Sequence, residues 1–384
     1  MKVKLSDAFE LQMGKTPPRN DRECWGEGHK WISISDIGST GKYIDATKEQ
    51  ITDAGVSKSG IKVVPKGTVI MSFKLSIGKT AITAEDMYTN EAIMAFINKG
   101  RYEINTDYLY HMCKGIDWLA GTNKAVLGLT LNKATMSEKE IVIPSTAEQL
   151  HVVSVLDKMD ELIALRKEQL AKLDQLVKSR FIELFGDSVT NSMGWVTDTV
   201  IGVCDDIYGG GTPSKSHPEY YENGDIPWVS SKDMKTDVLY DSQIKINQLG
   251  VDNSTAKMVP INSVIMVIRS GILKHTLPVA VNAVPITVNQ DLKVFIPSNR
   301  ILSIFLMHQF KMLEKDILSG VRAVTADNIE FDSLKKREII VPPMELQERF
   351  AAFVKQTDKS KLVIQQSLNK LELLNKSLMQ EYFG

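Results

Sequence analysis

With 384 residues the chain is too long for one ordinary domain and long enough for two or three compact units. Hydrophobic residues at 43% and charged residues at 24% are ordinary for a globular protein, and no apolar run reaches the ~18 residues that a membrane span needs. A net charge of −1 gives no overall basic footprint, so a nucleic-acid partner would have to meet basic loops gathered on one face, with the acidic groups elsewhere.

The opening residues, Met1 to Asp7, lack the apolar core of a signal peptide, and the expectation is a cytoplasmic protein. Cys24, Cys113 and Cys204 are far apart and form no C-x-x-C pair, which predicts reduced, mostly buried thiols and no zinc site. Short apolar or alternating runs follow at Trp31 to Ile37, Lys62 to Phe73, Ala92 to Ile97 and Ile141 to Ile143. Gly, Pro, Asn and Asp clusters separate them, which is strand and turn chemistry. Thr106 to Lys114 reads as a short helix, as does Ser303 to Leu313 further on. Ser145-Thr146-Ala147-Glu148 is a capping box. It opens a stretch without Pro or Gly that runs to Phe185. Within it Leu156, Met159, Ile163, Leu170, Leu173 and Val177 mark a heptad seam.

The second half repeats the first. Gly14-Lys15-Thr16-Pro17 returns as Gly210-Gly211-Thr212-Pro213, and Trp31 to Ile37 returns as Trp228 to Met234. Glu140 to Pro144 returns as Glu338 to Pro342, and Leu184-Phe185-Gly186 as Tyr382-Phe383-Gly384, all at separations of 195 to 199 residues. The order is kept throughout, so the chain reads as a tandem duplication of one large module. The second copy's helix begins at Pro342-Pro343 and carries Phe350, Phe353, Ile364, Leu368, Leu371, Leu374 and Leu378. Each long helix should span roughly 35 to 40 residues, about 50 to 60 Å. Neither buries its stripe alone, so the two are expected to pack together, antiparallel, about a pseudo-two-fold axis.

Motifs for chemistry fail on inspection. Ser76-Ile77-Gly78-Lys79-Thr80 resembles the end of a Walker A loop, but Phe73 stands where the first glycine is needed. Val341-Pro342-Pro343-Met344 lacks the Asn and the aromatic of an adenine methyltransferase loop, no G-x-S-x-G elbow occurs, and the six histidines form no ligand-spaced cluster. These failures favour a binding protein with no catalytic residue, no metal and no cofactor of its own.

The whole chain resembles the specificity (S) subunits of type I restriction–modification systems. The G-x-T-P segments at Gly14 and Gly210 carry the likeness, with W-[IV]-S-x-x-D at Trp31 and Trp228, the [IV]-P elements before each helix, and the helix ends at Phe185-Gly186 and Phe383-Gly384. The resemblance implies an α+β protein. Two target recognition domains, residues 1–147 and 187–344, would be separated by conserved helices, residues 148–186 and 345–384, packed as an antiparallel coiled coil. It further implies that each domain reads half of an asymmetric bipartite target in double-stranded DNA. Two methyltransferase (M) subunits would bring S-adenosylmethionine, with a motor-nuclease (R) subunit as an optional further partner.

Candidate DNA contacts in the first copy are Lys15, Thr16, Arg19, Ser33, Ser35, Lys74, Lys79 and Lys124. In the second they are Thr212, Lys215, Ser230, Ser231, Lys232, Arg269, Lys274 and Arg322. Lys and Arg neutralise phosphates or pair with guanine, although any one of them also reads as a solvated surface charge. Trp31 and Trp228 read as core, and Asp36 and Asp233 as loop-fixing groups. Leu162, Leu165 and Leu176, with Leu362, Val363 and Leu373, lie off the seam and are candidate M-subunit contacts, unless the globular domains cover them. The competing reading is a coiled-coil scaffold that joins two protein-binding domains and never meets DNA.

Overall fold

A computed structural model describes residues 1–38, 41–120, 131–320, 322–323 and 327–384. The chain forms two compact units, one of residues 1–168 with 365–384, the other of residues 169–364. Both long helices, Thr146–Phe185 and Met344–Phe383, contribute to each unit.

The strands of the first unit are β1 (Lys2–Lys4), β2 (Phe9–Met13), β3 (Trp25–Ile32), β4 (Tyr43–Ile44), β5 (Glu49–Ile51), β6 (Val69–Ser72), β7 (Thr80–Thr83), β8 (Tyr88–Thr89), β9 (Ile93–Asn98) and β10 (Glu140–Val142). They form a five-stranded sheet ordered β2-β9-β6-β7-β4, a three-stranded sheet β5-β3-β8 and a small ladder β1-β10. In the second unit come β11 (Thr197–Thr199), β12 (Cys204–Gly209), β13 (Ile226–Val229), β14 (Val238–Leu239), β15 (Lys245–Ile246), β16 (Val264–Val267), β17 (Val279–Asn282), β18 (Thr287–Val288), β19 (Leu292–Pro297), β20 (Arg322–Ala323), β21 (Asp327–Asn328) and β22 (Glu338–Ile340). Their sheets are β12-β19-β16-β17-β14, β15-β13-β18 and β11-β22, the same plan, with a β20-β21 ladder added.

The strand limits correct two expectations. The run from Trp31 to Ile37 is strand only to Ile32, and the strand starts earlier, at Trp25. Beyond Ile32 the Asp36 carboxylate accepts from the Ser33 amide (2.8 Å) and hydroxyl (2.6 Å) and bends the chain into a turn. The run from Lys62 to Phe73 is strand only from Val69, because Pro65-Lys66-Gly67 turns the chain and Gly67 takes φ +74°.

Ser145 and Glu148 form the capping box: the Glu148 carboxylate accepts from the Ser145 amide at 2.9 Å, and the Glu148 amide donates to the Ser145 hydroxyl at 3.3 Å. One turn on, each long helix buries a glutamine that ties it to the domain it leaves. Gln149 Oε1 accepts from the Asn105 amide (2.8 Å), and its Nε2 donates to the carbonyls of Glu103 (2.9 Å) and Pro144 (3.1 Å). Gln347 makes the equivalent bonds to Leu302 (2.8 Å), Arg300 (3.1 Å) and Pro342 (2.9 Å). Three satisfied bonds make each amide a fixed joint in an apolar setting.

The long helices run antiparallel within each unit. In the first, Lys167 pairs with Glu372, while Val152 and Leu156 share a core with Leu378, Met379 and Phe383. In the second, Asp174 pairs with Lys361 and Phe181 packs edge-on against Phe350. The expected seam needs correction in its detail. Leu156, Val177 and Phe350 join core clusters that contain residues of both the other long helix and the globular domain, and Leu374 is 50% exposed. A helical stripe reports that a face is apolar and not which neighbour covers it.

Candidate nucleic-acid interface

In each unit a loop beginning with glycine leaves the first strand of the large sheet and passes over the small one. Gly14 has to be glycine: a Cβ there would lie 2.0 Å from the Thr89 carbonyl oxygen, and at Gly210 one would lie 2.0 Å from that of Val288. The buried tryptophan next to each loop holds it from below. Trp31 Nε1 donates to the Lys15 carbonyl at 3.0 Å, and Trp228 Nε1 to that of Gly211 at 2.9 Å. The threonine of the motif then meets a side chain on the turn before β9 or β19: Thr16 donates to the Glu91 carboxylate, and Thr212 to the Gln290 amide oxygen. The shared motif is therefore a frame that sets the loops, and its threonines have partners within the protein.

The candidate cations divide by what they meet. Lys15 Nζ donates to the carbonyls of Ser59 and Gly60, each at 3.1 Å, and closes the end of the helix Asp53–Ser59. Arg19 lies 4.0 Å from the Trp25 ring centroid and forks onto Glu49 at 2.5 and 3.1 Å. Arg269 is held by Asp291 at 2.6 Å. By contrast Lys74, Lys79, Lys215 and Lys232 are exposed, and none has a carboxylate within ion-pair distance among the described residues. Lys274 is exposed at the end of the short helical turn Gly271–Lys274. Lys124 and the Arg322 side chain lie outside the described residues.

Ser33 is spent on Asp36, and its hydroxyl lies 2.8 Å from that of the exposed Ser35. Ser230 is spent in the same way on Asp233, at 2.9 and 2.8 Å, while Ser231 is half-buried and Lys232 stands in solvent. In the first unit the turn Ser35–Gly38 and the turn Gly78–Thr80 face one cleft of about 970 Å³, bringing Ser35 and Lys79 together. Thr16 bonds Glu91, and the charges of Lys74 and Arg19 act on it from beyond ion-pair distance. Partial burial raises the Glu91 carboxyl, but the Thr16 hydroxyl, its own backbone amide and the charges of Lys74 and Arg19 outweigh that, so it titrates below its ordinary range. The repeat pairs Asn90-Glu91-Ala92 with Asn289-Gln290-Asp291, but the role of Glu91 and Gln290 as partners of the loop threonines is not legible in sequence, because it arises only through strand register.

Of the helix positions, Leu162 is half-buried. Leu165 is 44% exposed, Leu176 47%, Leu362 59%, Val363 66% and Leu373 70%. These apolar side chains stand on helices whose other faces are already packed. No group of three potential metal-ligating side chains occurs among the described residues, and among them no helix is long and apolar enough to cross a membrane.

The model of the type I restriction modification DNA specificity domain matches twice, over residues 1–175 and 193–373. The specificity subunit of the type I restriction enzyme MjaIX of Methanocaldococcus jannaschii is 25% identical over 373 residues, covering 91% of this chain and 85% of that protein. That of EcoR124I/EcoR124II of Escherichia coli is 34% identical over 232 residues, 58% of this chain and 56% of the other. In fold the chain is similar to the S subunit of a type I restriction–modification system from M. genitalium, with a TM-score of 0.56 at 15% identity, covering 100% of this chain and 96% of that one. It is also similar to a chain from a structural study of complex assembly and conformational transition of the type I system, with a TM-score of 0.60 at 18% identity and coverage of 100% and 97%. With two matches spanning most of its length, the chain belongs to the family of type I restriction–modification specificity subunits, one specificity domain in each half.

Proposed function

We propose that this chain reads DNA for a type I restriction–modification complex in the cytoplasm. Each unit reads one half of an asymmetric, bipartite target, and the long helices dock two methyltransferase subunits. The observation that carries the reading is one frame with two sets of loop chemistry: Glu91 against Gln290, and an exposed Lys74 without an ion pair among the described residues against an Arg269 bound to Asp291. A duplicated frame with diverged loops suits two unlike half-sites. The exposed Leu165, Leu176, Leu362, Val363 and Leu373, with the half-buried Leu162, support helix docking of the partners. Adenine methylation, with its S-adenosylmethionine, and cleavage by a motor-nuclease subunit belong to the partners, and this chain is not itself an enzyme.

The test is binding of the reconstituted complex to duplexes carrying the source genome's methylated sites, followed across salt. Phosphate contacts give a log-linear fall in affinity. Changing Lys74, Lys79, Lys215 and Lys232 together to Ala should flatten the slope by about 3 to 4 if each meets a phosphate. A complex that forms but shows neither specific binding nor salt dependence would establish the scaffold reading instead.

A further inference from the structure

The loop between β6 and β7 carries a side chain that neither the frame nor the exposed cations explain. Leu75 is 95% exposed and takes φ +61°. Among the described residues three other non-glycine residues have positive φ, and all are asparagines, Asn191, Asn223 and Asn262. Asparagine or glycine adopts that conformation more readily, so a leucine there goes against both backbone preference and solvation. A lone exposed leucine is common on protein surfaces. One held out at a left-handed position on a braced loop is not.

The bracing is extensive. The Ser72 hydroxyl donates to the Ser76 carbonyl and accepts from the Lys79 amide at 3.1 Å. The Gly78 amide donates to the Ser72 carbonyl at 2.9 Å, and the Phe73 amide to that of Ala92, also at 2.9 Å. The loop is thus tied to itself and to the turn that holds Glu91. It presents one apolar side chain, preceded in sequence by the exposed Lys74 and followed four residues on by the exposed Lys79.

An exposed apolar tip on a loop that also carries two exposed lysines, Lys74 and Lys79, suits a duplex, which offers phosphates around an apolar base stack. A flat protein surface would offer neither in that order. We propose that Leu75 is a wedge that enters a base step of the half-site read by the first unit, while Lys74 and Lys79 hold the flanking phosphates. This rests on the DNA-reading function above. The second unit has no equivalent. Its loop is clamped by Arg269 on Asp291 and wound into the turn Gly271–Lys274, where Leu273 is buried and Ile272 is 36% exposed. The wedge therefore acts on one half-site only.

The experiment uses the chain assembled with its methyltransferase subunits and duplexes of the methylated target, with 2-aminopurine placed in turn at each position of both halves. The adenine that each methyltransferase subunit flips should brighten in both halves; beyond it, the wild type should raise fluorescence severalfold at one further step, in one half-site only. Leu75→Ala should abolish that rise and weaken binding about tenfold, as expected for one buried apolar side chain, and Leu75→Met should keep both. Since Leu75 touches solvent almost entirely, these variants fold. If the wild type binds the target and no step brightens besides the flipped adenines, or the Ala variant leaves that further signal unchanged, the wedge is wrong while DNA reading stands. If the wild type binds no target at all, the DNA-reading function fails, and the wedge fails with it.

Discussion

At the tip of the first unit's central hairpin a leucine stands in solvent on a loop that also carries two exposed lysines. At the same place in the second unit an arginine folds back on Asp291 and the chain winds into a helical turn. Below these tips the two units share one construction, down to the three hydrogen bonds of Gln149 and of Gln347. The layer of ion pairs under the sheets differs again. In the first unit Lys42 meets Asp107 and Asp157, and the buried His111 lies 2.7 Å from Asp157. In the second the polarity is reversed: Asp237 takes Lys311, and the buried His308 has no partner at Nε2 among the described residues. The contrast separates what a recognition unit must keep from what it is free to change. The glycine approach, the tryptophan strut and the glutamine joint recur, while charges and loop tips diverge.

If the glutamine joints are equivalent, breaking either should cost alike. Replacing Gln347 with Leu strands the Leu302 amide and two carbonyls in a dry setting, for a loss of about 3 kcal/mol in urea unfolding, and Gln149→Leu should match it in the first unit. A clear inequality would show that the joints share geometry without sharing weight.

The histidines should differ, and by less. Burial, followed by the charge of Lys311, pushes His308 down to about 3 against the pull of Asp237, with Lys361 adding to the depression. Its folded value is below the ~6.5 of an unfolded histidine. Its stabilising contribution is therefore complete above that value and is lost as pH falls from there towards 3. His308→Leu should remove about 2 kcal/mol of the stability lost between pH 7 and pH 5. Burial also lowers His111, but its bond to Asp157 opposes the shift, so His111→Leu should flatten the same curve less. Equal flattening would contradict the contrast.

Much of this organisation is legible in residues. Spacing alone pairs Trp31 with Trp228, and both are buried; Asp36 and Asp233 read as loop-fixing groups and each caps its turn. What stays hidden depends on long-range register. Arg269 meets an aspartate 22 residues away because β16 and β19 pair Val267 with Leu292, and no local pattern separates that arginine from the exposed Lys74. Leu75 is equally silent, since a single leucine inside a loop carries no periodicity. The helix stripes announce burial, yet Leu374 is exposed while Phe350 joins a core cluster shared by the other long helix and the globular domain, because the partner of an apolar face is chosen by tertiary packing.

The claim that two units read two half-sites is tested most directly by exchange. Residues 1–147 are replaced with the matching part of another specificity subunit, the complex is expressed with its methyltransferase, and the modified sites in the host genome are sequenced. One half of the target should change completely while the other half stays as in the wild type. A change in both halves together, or in neither, would contradict the account.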